Sequence, residues 1–153
     1  MIRKATTQDI DSIMGLLVQV NEVHHGIRPD LFKGNTTKYT RQELELLLTD
    51  EDRPVFVYEA KGVVAYAFCQ ISEVRNHGLL QDVKTLYIDD LCVDEEARGQ
   101  HIGKEMYEYV RKYARAMHCH NITLNVWEGN VGAYHFYKSM GMRPQKTTME
   151  TLL

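Results

Sequence analysis

Three groups of residues in this chain offer side chains or backbone that chemistry can use. The first is Asp89 and Asp90, inside the apolar run "YIDDLCV" at residues 87–93. Two carboxylates in such a run are costly unless one of them faces solvent or a site. Strand alternation sends neighbours to opposite sides, so one acid can meet a basic ligand while the other caps or pairs structurally; a bulge would reverse that assignment. The second group is "EEARGQHIGKEMYEYV", residues 95–110, where Arg98, Gly99, Gln100, His101, Ile102, Gly103 and Lys104 lie between a strand-like run and a helix-like run. A turn at a helix start leaves backbone N–H groups without partners, and together with the helix dipole these favour an anion, typically a phosphate. Arg98 and Lys104 add two cations. The third is "NVWEGNVGAYHFYKSMGMRP", residues 125–144, in which Ala133, Phe136, Tyr137 and Met140 share a helix face and Gly141 sits where a left-handed cap is needed. The Tyr137 phenol has an ordinary pKa near ~10, so at neutral pH it is protonated and can donate.

The spacing excludes two familiar phosphate loops. Gly99 and Gly103-Lys104 are too close for G-x-x-x-x-G-K-[ST], and Glu105 follows. No G-x-G-x-x-G lies near the first strand. Residues 118–120, His-Cys-His, are consecutive at a helix end, a placement that rarely converges on one ion. No second ligand pair stands at finger-like spacing, so no metal is expected.

The elements that must hold these groups alternate along the chain. "MIRKA" reads as a short strand. "TTQDIDSIMGLLVQVNEVHH" reads as a helix with Ile10, Ile13, Leu16, Leu17 and Val20 at helical spacing and Thr6 or Thr7 as its cap. A loop punctuated by Gly26, Pro29 and Gly34 leads to a second helix over 37–50. Residues 53–74 are two β-rich runs split at Lys61-Gly62, a hairpin signal, and 83–93 is a third long strand. A helix from the glycine turn to about 118, a strand over 121–127, a helix over 130–140 and a final strand over 142–153 complete the chain. The expectation is one α/β domain over residues 1–153, with a mixed twisted sheet of six or seven strands and about four helices.

Bulk composition narrows the partners. The chain has 153 residues, 25% charged and 44% hydrophobic, with a net charge of −3, which gives no electrostatic reason for a nucleic acid or an anionic membrane. No apolar run approaches bilayer length. Cys69, Cys92 and Cys119 are odd in number and lack paired spacing, which fits a reducing, cytoplasmic setting.

Taken together, the second and third groups resemble the GNAT superfamily of N-acetyltransferases. Arg98 and Gly103 match its acetyl-CoA motif, an apolar strand followed by [R/Q]-x-x-G-x-[G/A], with His101 where a glycine is usual. Asn130, Ala133, Phe136, Tyr137, Gly141 and Met142 match its N-x-x-A-x-x-[FL]-Y-x-x-x-G-[FM] segment, and "IRKATTQDID" resembles its first strand and helix. The resemblance runs over nearly the whole chain in the expected order.

It implies the GNAT fold and transfer of the acetyl group of acetyl-CoA to a primary amine by direct attack. The coenzyme's diphosphate would sit on the N–H groups of 98–104, with Asn130 and Ala133 also at the cofactor. Pantetheine would run beside Leu91, Cys92 and Val93, which contribute mainly backbone. The N–H of Leu91 or Val93 would polarise the thioester carbonyl; such fixed donors lower a barrier by about 3 to 4 kcal/mol each. Tyr137 would be the general acid, and Asp89 or Asp90 the amine contact or base. A cysteine route through Cys92 is the runner-up mechanism, but no neighbouring base is evident in sequence and a small buried hydrophobe is the plainer role.

The acceptor side falls on the loop after the first helix, where His24, His25, Arg28, Asp30 and Phe32 form a mixed polar and aromatic set. The plainer reading of that loop is a solvated turn with Arg28 and Asp30 paired. The compact chain favours a small-molecule amine or a peptide or protein amine as acceptor. The alternative class is a non-catalytic acyl-CoA-binding sensor. Many GNAT proteins dimerise, and "TTMETLL" would serve as a strand within one chain or between two.

Overall fold

The computed structural model describes residues 1–153. The strands β1 (Ile2–Lys4), β2 (Val55–Ala60), β3 (Gly62–Val74), β4 (Val83–Val93) and β5 (Asn121–Thr123) form one sheet in that order. The first four pair antiparallel, and β5 joins β4 in parallel. Helices α1 (Ile10–Ile27) and α2 (Arg41–Leu47) cover one face, and α3 (Ile102–Ala116) and α4 (Val131–Ser139) belong to the other.

The apolar spacing read from α1 is realised: Ile10, Ile13, Leu16 and Leu17 are buried against Val57, Tyr66 and Phe68. The helix begins later than expected, behind a 3-10 turn at Thr7–Asp9, where the Thr6 N–H donates to Asp9 at 2.8 Å. Arg3 forks onto both oxygens of the buried Asp9, at 2.7 and 2.9 Å, and holds its carboxyl below the usual range. On the other face Ile102, Met106 and Val110 of α3 are buried, while Tyr109 and Tyr113 set their edges against Phe56 at 5.1 and 5.0 Å.

Three expected elements are shorter than read, and each for a local reason. The second helix starts at Arg41 rather than 37, because Thr40 accepts from the Glu43 N–H at 3.2 Å and caps the helix there; Lys38 and Tyr39 therefore stand on a loop. The strand expected over 121–127 ends at Thr123. The sheet has five strands instead of six or seven because 142–153 forms none. That segment is almost wholly exposed, and Pro144 lacks an N–H for a ladder.

Register explains where β5 stops. Across β3 and β4, Phe68 opposes Asp90 and Cys69 opposes Ile88, so Asp89 is an extra residue: a β-bulge. The parallel pairing of β4 with β5 covers Thr85 to Tyr87 and ends just before it. Past the bulge, β4 has a free edge.

Candidate active site

The bulge overturns the expectation that Asp89 and Asp90 point to opposite faces. Ile88, Leu91 and Val93 pack on the α3 side of the sheet, and Cys92 on the α1 side. With one residue unpaired between them, both carboxylates reach the α1 side. Asp90 accepts from the fully buried Tyr66 hydroxyl at 2.6 Å. Asp89 accepts from the Lys38 ammonium at 2.6 Å and the Tyr39 hydroxyl at 3.1 Å. Burial pushes the Asp90 carboxyl up to about 6, even though the Tyr66 hydrogen bond and the Lys38 charge pull the other way. For Lys38, burial disfavours the ammonium, but Asp89 outweighs it and raises the pKa.

The free edge presents backbone. The Asp94 N–H donates to Val64 at 2.8 Å, so alternation turns the N–H and C=O groups of Leu91 and Val93 away from β3, into the gap beyond β5. The Val93 carbonyl accepts from Arg98 Nε at 3.3 Å. Cys92 points the other way and its thiol donates to the Leu16 carbonyl at 3.6 Å. Burial, then Asp90, pushes that thiol up to about 12, so it is no nucleophile at neutral pH.

At the glycine turn, none of the N–H groups from Arg98 to Lys104 meets a protein acceptor; the first helical bond of α3 runs from Glu105 to His101 at 3.1 Å. Gly99 has φ +81 and His101 has φ 63, both left-handed. The position where the family carries glycine thus requires a conformation that histidine adopts only with some strain. Ile102 is buried in the core, while Arg98, Gly99, Gln100, His101 and Lys104 are exposed. Gly103 lies close to α4: a Cβ there would meet Phe136 at 3.4 Å and Val93 at 3.7 Å.

Helix α4 fixes Tyr137. Asn130 caps it by accepting from the Ala133 N–H at 3.2 Å. At the other end Gly141 has φ +92, its N–H donates to Lys138, and the Met142 N–H donates to the Tyr137 carbonyl, both at 3.1 Å. This is a Schellman motif, the left-handed cap read from the sequence. The Tyr137 ring packs beside Phe136 and Tyr107 at centroid distances of 5.0 and 6.3 Å, and its hydroxyl has no protein partner. Burial, with the Asp90 charge next, raises its pKa well above the ordinary phenol value, so the proton stays on.

The loop after α1 is pinned by its own residues. His25 Nδ1 contacts the Phe32 carbonyl at 2.7 Å. Arg28 pairs with Asp30 at 2.7 Å, the pairing read from the sequence, and also with Glu150 of the C-terminal segment. Phe32 lies between His24, at 5.0 Å, and Trp127, edge-on at 5.5 Å, while Arg28 stacks over Trp127. Burial and then the Lys38 charge lower the His24 pKa.

A pocket of about 240 Å³ opens on this side, lined by Lys38, Tyr39, Arg53, Phe68, Gln70 and Asp89 among others. Lys38, Tyr39, Arg53 and Tyr66 carry no motif and are not legible as site residues; only the fold gathers them. No group of three or more His, Cys, Asp or Glu is placed to hold a metal, and no helix is long and apolar enough to cross a membrane.

Known proteins share the sequence pattern and the fold of this chain. The Acetyltransferase (GNAT) family matches residues 20–142. The chain belongs to the GNAT family of acetyltransferases. An uncharacterized N-acetyltransferase of Methanocaldococcus jannaschii is 25% identical over 95% of this chain, which spans 61% of that relative's length. A mutant of the BH1408 protein from Bacillus halodurans is 35% identical, with a TM-score of 0.96, over 100% of this chain and 99% of the other. The aminoglycoside N-acetyltransferase AAC(6')-Iy in complex with CoA shares the fold, with a TM-score of 0.73 at 13% identity, over 100% of this chain and 98% of the other.

Proposed function

We propose that this protein moves the acetyl group of acetyl-CoA to a primary amine by direct attack within a ternary complex. The observation that carries the reading is the unbroken set of unpartnered N–H groups from Arg98 to Lys104, continuous with the free edge of β4. The N–H groups of 98–104, with Arg98 and Lys104, would hold the diphosphate of the coenzyme. Leu91 and Val93 would pair their outward backbone groups with the pantetheine amides, Arg98 releasing the Val93 carbonyl, while Cys92 keeps its side chain on the opposite face. Asn130 and Ala133 would act at the cofactor indirectly, by starting the helix that carries Tyr137. Acetyl-CoA supplies the activated acyl carbon and a thiolate leaving group.

The chain's own groups handle the protons. Asp90, near neutrality in its pKa, takes the proton an incoming ammonium must lose, directly or through water. Asp89 receives the amine once Lys38 gives way. Tyr137 keeps its proton until the sulfur departs and then donates it from a hydroxyl free of other duties. His24 and Phe32 form one wall of the acceptor cleft, with His25, Arg28 and Asp30 holding that wall in place. The protein works as a small-molecule or peptide amine acetyltransferase of the cytoplasm.

The test is an amine panel incubated with acetyl-CoA and read as free thiol release. Amine-dependent release supports the reading. Tight acetyl-CoA binding without any release would establish the sensor class instead. ATP binding competitive with CoA at similar affinity would remove the coenzyme assignment.

A further inference from the structure

We propose that the pocket beside Asp89 holds an anion subsite centred on Arg53, so that the acceptor is an amine that also carries a carboxylate or phosphate. The inference rests on the transferase reading above and names its substrate class.

Arg53 is unlike the other half-buried arginines. Arg3 forks onto Asp9 and reaches Glu59; Arg28 joins Asp30 and Glu150; Arg111 pairs with Glu108. Arg53 has no carboxylate partner, and its side chain makes one hydrogen bond, from Nη2 to the Tyr39 hydroxyl at 3.4 Å. A guanidinium in a pocket wall with most of its donors unspent is suited to bind a planar anion in two-pronged fashion. Its position is fixed by the backbone: its N–H donates to the Asp50 carbonyl at 3.1 Å, and the next residue, Pro54, accepts from the Cys69 N–H at 3.0 Å.

Charge and spacing select the ligand. Lys38 and Arg53 stand with Asp89 in the lining and the Asp90 carboxylate next to it, so two cations and two carboxylates share this field. A polyamine or aminoglycoside would bring several cations into that field. The Tyr39 hydroxyl donates to Asp89 at 3.1 Å and accepts from Arg53, so an acid and a guanidinium stand two hydrogen bonds apart. That matches the two ends of a compact zwitterion: ammonium toward Asp89, anion toward Arg53. When the ammonium displaces Lys38 from Asp89, the lysine is freed to face the same anion. The stacked Tyr39 and Phe68 rings, 5.5 Å apart, provide an apolar floor.

Paired acceptors that differ only in the anion provide the test. Glycine and β-alanine are compared with their amides, and glucosamine 6-phosphate with glucosamine, with putrescine as the polycation. Within the preferred pair the anionic member is expected to have a kcat/KM roughly tenfold or more above its neutral partner. R53Q brings that ratio near one, R53K keeps part of it, and R111Q, on a distant helix face, keeps all of it. The pair with the larger ratio tells carboxylate from phosphate. A ratio near one in the unmodified protein, a preference for putrescine, or a ratio that survives R53Q overturns the subsite while leaving amine transfer standing. Should no amine release thiol, the transfer reading fails. The same pairs titrated onto the CoA-bound protein then decide the subsite: an Arg53-dependent preference for the anionic member supports it, and equal binding overturns it.

Discussion

Burial raises the pKa of both Asp90 and Tyr137, the Asp90 charge adds to the Tyr137 shift, and the two shifts suit opposite tasks. A carboxyl held at about 6 is ionised at neutral pH yet basic enough to accept a proton, whereas a phenol raised by burial and by Asp90 stays protonated. Tyr137→Phe should lower turnover by ~10²-fold or more and leave acetyl-CoA affinity unchanged, read by thiol release and calorimetry. An equal loss in both would show that the ring only packs. The kcat/KM profile should show an acid limb near pH 6 that disappears in Asp90→Asn. Tyr66→Phe should move that limb upward, since the Tyr66 hydrogen bond favours the ionised carboxylate. Stability follows the same group with the opposite sense. The folded chain keeps the Asp90 proton to about 6, whereas the unfolded carboxyl loses it near its ordinary 3.8. The native state therefore binds more protons in that window, and stability falls as pH rises through it. Urea midpoints from pH 4 to 7 should drift in favour of Asp90→Asn over the same interval.

Elements were legible where a local rule governs them. The strand 83–93 and the cap at Gly141 follow from residue pattern alone, because apolar alternation and left-handed glycine act over a few residues. The start of the second helix is not legible from apolar spacing, because the Thr40 cap sets it at Arg41 and leaves Lys38 and Tyr39 on a loop. The left-handed backbone also yields tests. Gly141→Ala, at φ +92, should destabilise by about 1 to 2 kcal/mol, seen as a fall in Tm of a few degrees. His101→Gly should stabilise by up to about 1 kcal/mol in urea unfolding, because it removes a side chain from φ 63.

At the scale of the molecule, the sheet separates two apolar clusters, with α3 over one and α1 with α2 over the other. The candidate site lies where the pairing of β4 with β5 ends, just after Tyr87. Leu17 and Met106 are each 0% exposed, in opposite clusters. Leu17→Ala and Met106→Ala should each cost about 2 to 5 kcal/mol, and the double variant should show their sum within about 0.5 kcal/mol, measured by denaturant unfolding. The turn with unpartnered N–H groups at 98–104 was legible because its residues are contiguous. Around Asp89, which the sequence does offer, Tyr39, Arg53 and Tyr66 were not legible, because they come from three other segments and meet it only through the fold.

The supernumerary residue at Asp89 sets the phase of everything after it. Were the bulge flattened with every residue kept, Asp90 and Cys92 would turn to the α3 side and Leu91 and Val93 to the α1 side; removing Asp89 itself would leave those four in place and delete only one carboxylate. A strand shortened by that one residue would thus keep its packing and lose the carboxylate that meets Lys38 and Tyr39.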